Sequence, residues 1–321
     1  MEYGMKDKLA SILKMAVALA AFAFISYRIY CQVRLGLSMD VGNFRLLPLM
    51  AVVALVPVNW MVEAKKWQSL TLHLQRQSMA ESFRSVMVGL SVSMLTPNRI
   101  GDFAGRISTL KPENRVEATM ASFVGSFALV VSIFLFGLVA FILEPVLPHS
   151  FEWIASHHVQ LSVVLAVLAV AVVAFYFCIG KAAPRFSFRP WPWLERFVQG
   201  AGRHSVGGLF RAFAYSCLRY AVFSFQFYLA LESVGVSLSP HDAFCSIALM
   251  YFFVTLIPTF ALVEWGVRGS MALLFITPVG GLPTQVMIAT IVVWLLNVAI
   301  PALYGAVIQA VCSTSGSKRK L

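Results

Sequence analysis

Six apolar runs of bilayer length, at about 9–30, 46–66, 116–142, 158–180, 208–232 and 285–311, decide what this chain can fold into. A helix needs about 20 mostly apolar residues to cross the hydrocarbon core. Within lipid, only helices and closed barrels satisfy every backbone polar group. Runs of this length therefore predict an all-α polytopic membrane protein. Composition agrees, with 59% hydrophobic and 12% charged residues, where soluble domains carry about 25% charged. The first run follows Lys6 and Lys8, contains Lys14, and continues to Ile29, so it reads as an uncleaved span rather than a signal peptide.

The net charge of +11 would raise nucleic-acid binding in a soluble chain. Here the basic residues gather in short segments between apolar runs, where topology accounts for them and no nucleic-acid partner is expected. Lys181, Arg185, Arg189, Arg196, Arg203 and Arg211 mark a cytoplasmic loop at about 181–207, and Lys318, Arg319 and Lys320 a basic cytoplasmic tail, 312–321. Lys65, Lys66 and Arg76 put the end of the second run inside. Residues 143–157 and 233–243 lack Lys and Arg and carry Glu144, Glu152 and Asp242, which puts them outside. Both termini are then cytoplasmic. Arg34 and Arg45 run against this pattern.

Two further stretches, 79–111 and 240–277, are apolar but broken by a proline. The orientation requires each to leave the membrane on the side it entered, so each is a hairpin, re-entrant or of two full spans. The chain then reads as one transmembrane domain, 1–321, in two halves of about 1–142 and 158–311. Each half runs span, span, hairpin, span, in opposite orientations, the order of inverted-repeat transporters.

The breaks resemble one another. Pro97 is followed by Asp102 and, four residues on, Arg106; Pro258 is followed by Glu264 and, four residues on, Arg268. Proline disfavours helix in the residue before it and lacks an N–H, so the upstream helix tends to stop. Irregular backbone at membrane depth survives only in protein or against a wet cavity. Asp102–Arg106 and Glu264–Arg268 have the spacing and order of helical ion pairs, and Arg99 falls on the face of Asp102 and Arg106 by the helical period. Charges at this depth cost roughly 2.5–3.5 kcal/mol each on insertion scales, so they have a role or a partner. These residues read as a substrate-binding set for an anionic lipid headgroup, with Pro97, Gly101 and Pro258 as helix breaks. The plainer reading makes each pair a helix staple, with Arg99 or Arg106 snorkelling to the surface.

Arg219 shares a face with Arg211 and Tyr215 and either snorkels or lines a cavity. Asn59, Glu63, Gln226 and Asn297 line a path or bridge helices, and Glu63 reads as pairing with Lys65 or Lys66 at the boundary. Pro301 is expected to kink the last span. The segment 190–199 reads as interfacial, with Trp191 and Trp193 as anchors. Cys31, Cys178, Cys217, Cys245 and Cys312 form no C-x-x-C pair and read as small buried side chains. His157 and His158 are adjacent, which does not suit a metal site. No Walker loop, H-E-x-x-H or G-x-S-x-G is present. No cofactor and no metal is expected.

The element Pro97-Asn98-Arg99-Ile100-Gly101-Asp102 resembles the P-x-R-x-G-(D/E) motif of the lysylphosphatidylglycerol synthase/flippase transmembrane family. Pro258 to Glu264 is similar to that family's second element, with Thr259, Phe260 and Ala261 where glycines are usual. The Lys66-Trp67 ending of the second run is similar too. The resemblance implies translocation of a lipid headgroup between leaflets of a bacterial cytoplasmic membrane. The soluble aminoacyl-transferase domain of some relatives is not in this sequence, so aminoacyl-lipid synthesis is not expected of it. The expectation is a flippase without an enzymatic activity of its own. The alternatives are an intramembrane headgroup transferase, or a membrane partner of a separate synthase or glycosyltransferase. Membrane lipids are the expected partners, with a homodimer or a synthase as the protein partner.

Overall fold

The computed structural model describes residues 44–94, 96, 99–143, 156–182, 192–257 and 261–318, and every regular element among them is helical. They are α1 (Leu46–Thr71), α2 (Met79–Ser93), α3 (Gly101–Ser108), α4 (Arg115–Leu143), α5 (His158–Ala182), α6 (Pro192–Gly202), α7 (Val206–Ser233), α8 (Pro240–Leu256), α9 (Ala261–Ile276), α10 (Pro283–Trp294) and α11 (Ile300–Lys318). Four helical stretches are long and apolar enough to cross a membrane: Leu46–Thr71, Pro112–Leu143, His158–Lys181 and Pro283–Val311. The run at 208–232 forms α7, which is 28 residues long but too polar to join those four. The first run at 9–30, the breaks at Pro97 and Pro258, residues 144–155 of the expected outer loop and residues 183–191 of the expected loop at about 181–207 lie outside the described residues.

The ends of the bundle are fixed by contacts between distant parts of the chain. At one end the Arg45 amide donates to the Ser233 carbonyl (2.8 Å) and Arg45 pairs with Glu232 (3.0 Å). At the other, the His73 and His204 rings meet edge to face at 5.0 Å, and Asn114 Nδ2 donates to the Leu74 carbonyl (3.2 Å). α1 and α7 therefore run antiparallel, packed along their lengths.

Both broken stretches are helical hairpins. α2 packs on α3, and α8 on α9. α3 has 8 residues, about 12 Å, far short of a span. Ser78 starts α2 with a full capping box to Glu81. Thr96 Oγ1 accepts the Gly101 amide (2.7 Å), satisfying a donor the break would otherwise orphan. The hairpin closes on glycine: a Cβ on Gly105 would fall 2.6 Å from the Gly89 Cα, which no larger residue allows.

α10 and α11 join through a π turn, Leu295–Ala299, in which the Ile300 amide reaches the Leu295 carbonyl. Pro301, expected to kink this span, has no N–H for the carbonyl one turn back; the wider turn just before it absorbs the mismatch. The segment read as interfacial forms α6. Two apolar clusters fill the bundle, one around α7, α8 and α10 and one around α1, α2 and α4.

Candidate functional site

A polar network runs between those clusters, built from helix faces that are otherwise apolar. Asn59, Glu63 and Lys66 stand at i, i+4 and i+7 on α1 and so share its buried face. α7 supplies Ser216, Arg219 and Gln226, α3 supplies Asp102 and Arg106, and the π turn supplies Asn297.

Glu63 is the hub. Its Oε1 accepts Arg106 Nη1 at 2.7 Å, and its Oε2 accepts Arg219 Nη1 and Lys66 Nζ, each at 2.8 Å. The ammonium of Lys66 also donates to the Gly125 carbonyl (3.0 Å) and Ser216 Oγ (3.4 Å), which uses all three of its donors. Lys66 is 1% exposed. Arg106 grips Asp102 with two parallel bonds, Nε to Oδ1 at 2.9 Å and Nη2 to Oδ2 at 2.7 Å, the strong bidentate form. Arg219 lies over the Trp60 ring at 4.8 Å, and its Nε donates to Asn59 Oδ1 (3.1 Å). A chain of amides continues from there. Asn59 donates to Asn297 (2.9 Å), Asn297 to Gln226 (2.8 Å), and Gln226 to the Val52 carbonyl (2.7 Å).

Glu264 forms a second node. Its Oε2 accepts Arg99 Nε at 3.0 Å and Arg99 Nη2 at 2.7 Å, and its Oε1 accepts Arg268 Nη2. The Arg268 guanidinium lies 5.5 Å from the Tyr251 ring centre. This node ties the loop before α3 to the start of α9, 165 residues along the chain.

Between the nodes is a cavity of about 400 Å³. Arg99, Arg219, Arg268 and Glu264 line one part of it with Asn59 and Asn297. Leu129, Ile133, Phe223 and Val254 line another. The lining is thus mixed, polar and apolar, and the volume is within the size range of ligand sites.

The structure brings together most of the residues singled out in the sequence. Asp102–Arg106 and Glu264–Arg268 pair as their spacing predicts. Arg99, Arg219, Arg268 and Glu264 face one cavity, while Asp102 and Arg106 stand behind it against Glu63. Four expectations need correction. Arg99 does not share the face of Asp102 and Arg106: it precedes α3, with a left-handed φ of 56°, and turns to the opposite hairpin. Arg219 does not snorkel, since it sits thirteen residues into α7, about 20 Å from the helix start, with a side chain 12% exposed. Glu63 pairs with Lys66, one of the two expected partners, but in the buried interior and not at the boundary, while Lys65 is exposed and bonds Gln68. Lys66, read as a topology marker, is buried in the network, because α1 continues five residues past it. Gly101 lies at the start of α3, close against Val92.

The family described as Lysylphosphatidylglycerol synthase TM region matches residues 11–305 of this chain. No curated protein and no solved structure matches it.

Proposed function

Because the chain belongs to the lysylphosphatidylglycerol synthase transmembrane-region family, we propose that it is a lipid flippase or lipid transporter. It moves a polar headgroup, anionic or aminoacylated, between the leaflets of a bacterial cytoplasmic membrane. The observation that carries this reading is the cavity lined from both hairpins, with three arginines and several apolar side chains in its wall. A headgroup needs the first and the acyl region tolerates only the second. In this reading Arg99, Arg219, Arg268 and Glu264 contact the headgroup, and Asp102 and Arg106 hold the hub behind it. The frame is a single transmembrane unit of two oppositely oriented halves, with both termini cytoplasmic. Movement is downhill or coupled to an ion gradient through Glu264, the carboxylate that lines the cavity.

Reconstituted vesicles with fluorescent phosphatidylglycerol test this. A membrane-impermeant quencher reaches only the outer leaflet, so protein-dependent movement raises the quenched fraction. The expected result is fast loss of the protected pool, abolished in an Arg99→Gln, Arg268→Gln double variant. Wild-type vesicles that keep the protected pool of empty vesicles, with fluorescent phosphatidylglycerol and with fluorescent phosphatidic acid alike, would sink the proposal.

A further inference from the structure

The charges around the cavity do not balance. Among the described residues, the linked cluster holds Lys66, Arg99, Arg106, Arg219 and Arg268 against Glu63, Asp102 and Glu264. Behind the cavity, Lys66 and Arg106 are matched by Glu63 and Asp102. Glu63 also pairs with Arg219, so the surplus of two positive charges belongs to the cluster as a whole; of its cations Arg99, Arg219 and Arg268 line the cavity, where Glu264 is the one carboxylate among the described lining residues. Arg268 is 11% and Arg219 12% exposed at the side chain. Both are ion-paired, yet the cluster keeps a net positive charge at this burial, and buried net charge is costly, by several kcal/mol per ion. A cavity of this kind is built for a counter-ion.

The guanidinium donors point the same way. Each arginine has five N–H donors. Arg219 spends its Nε and Nη1 on Asn59 and Glu63, and Arg99 its Nε and Nη2 on Glu264. Arg268 Nε is buried with no hydrogen-bond partner among the described residues. That Nε is enclosed by protein, so the donors left for a ligand are on the terminal nitrogens: Arg219 Nη2, Arg99 Nη1 and Arg268 Nη1 take no part in these bonds. Planar N–H forks at several corners suit a phosphate with several charged oxygens.

Resting on the transport reading above, we infer that the substrate is a lipid whose phosphate carries two negative charges: a phosphomonoester or diphosphate at the end of an apolar chain. A phosphodiester headgroup neutralises only half of the surplus. An aminoacylated headgroup adds cations to it. The apolar wall separates this ligand from free phosphate. Val130 and Ile257, two apolar residues of the lining, are 41% and 38% exposed, so apolar surface for a chain is open there.

Binding to the purified full-length protein in detergent is followed by native mass spectrometry with four probes: dioleoyl phosphatidic acid, dioleoyl phosphatidylglycerol, lysyl-phosphatidylglycerol and inorganic phosphate. A phosphomonoester takes its second charge with a pKa of about 6. Phosphatidic acid is expected to bind about tenfold tighter at about pH 8 than at about pH 5.5, and about tenfold tighter than phosphatidylglycerol at the higher pH. Phosphatidylglycerol should show no such dependence. Glu264→Gln removes the counter-charge and frees two arginines, so it should tighten phosphatidic acid binding, a gain that misfolding cannot imitate. Equal binding of phosphatidylglycerol or lysyl-phosphatidylglycerol at pH about 8, a pH-independent phosphatidic acid affinity, or weaker binding to Glu264→Gln overturns the inference. Competition by inorganic phosphate as strong as by phosphatidic acid overturns its lipid part. The vesicle assay separates the two claims. Movement of phosphatidylglycerol without preference for phosphatidic acid leaves transport standing and removes this inference. Preferential binding of phosphatidic acid without movement does the reverse.

Discussion

Glu63 holds three cations on two oxygens, so removing it and removing one of its partners are different operations. Without it, Arg106 keeps Asp102, but Arg219 and Lys66 lose the one carboxylate they pair with among the described residues. Breaking a buried pair from one side costs about 3–5 kcal/mol, and Glu63→Ala is expected to lower stability by that amount. Lys66→Met should cost less, because Glu63 retains two arginines, and the double variant should be less unstable than the sum of the singles. Unfolding in a detergent titration reads all three; additive losses would show that the hub is not coupled. Arg99 poses a separate question of backbone against charge. Its φ of 56° costs an L-residue roughly 1–2 kcal/mol, and its side chain holds Glu264. Arg99→Gln loses the ion pair and keeps the strain; Arg99→Gly loses both. Arg99→Gly should therefore be the more stable of the two by about 1 kcal/mol, and a less stable glycine variant would mean that this φ carries no strain.

At the scale of elements, the corner between α6 and α7 rests on the end of α1 through His204 and His73. His204 is 7% exposed and its Nε2 has no hydrogen-bond partner among the described residues. Burial first, then the neighbouring His73, holds its pKa down at about 4, and burial with Arg203 lowers that of His73. Both rings fold as neutral groups. In the unfolded chain a histidine titrates near 6.5. Between those values the unfolded state binds the proton and the folded state does not, so stability falls as pH drops from about 6.5 to about 4. Above that window it is fully present. The loss from His204 is on the order of 3 kcal/mol, and His204→Asn should flatten that part of a melting-temperature profile against pH. Elements of this kind were partly legible in the sequence. Run length matches four of the six expected runs to span-length helices, since a bilayer imposes a minimum, and the acid–arginine spacing matches the pairs on α3 and α9. Lys66 was misread because a lysine near the end of an apolar run looks like a boundary, and only the extension of α1 to Thr71 places it inside. Arg99 was given the wrong face because a left-handed residue does not carry the helical period across it. The pairing of Arg99 with Glu264 joins residues 165 apart and has no local signal.

For the whole molecule, the contacts at the two ends of the bundle turn the positive-inside rule into a sharper prediction. The rule counts Lys and Arg in short loops near the membrane surface. Lys66, Arg106 and Arg219 do not count, since they stand ion-paired inside the bundle and not in a surface loop. The end marked by the His73–His204 contact still carries Arg76, Lys111, Arg115 and Arg203. The opposite end has Arg45 paired with Glu232, and Asp242 bonded to Ser239. The bias survives the correction, so the His73–His204 end should be cytoplasmic. Arg203 and Arg45 have side chains 57% and 56% exposed, each in a surface ion pair, and such pairs contribute at most about 1 kcal/mol. Each can be replaced by cysteine in a chain whose five native cysteines are serine. A membrane-impermeant maleimide should label Arg45→Cys in intact cells and Arg203→Cys only after permeabilisation. The reverse pattern would turn the bundle over and place the basic end outside.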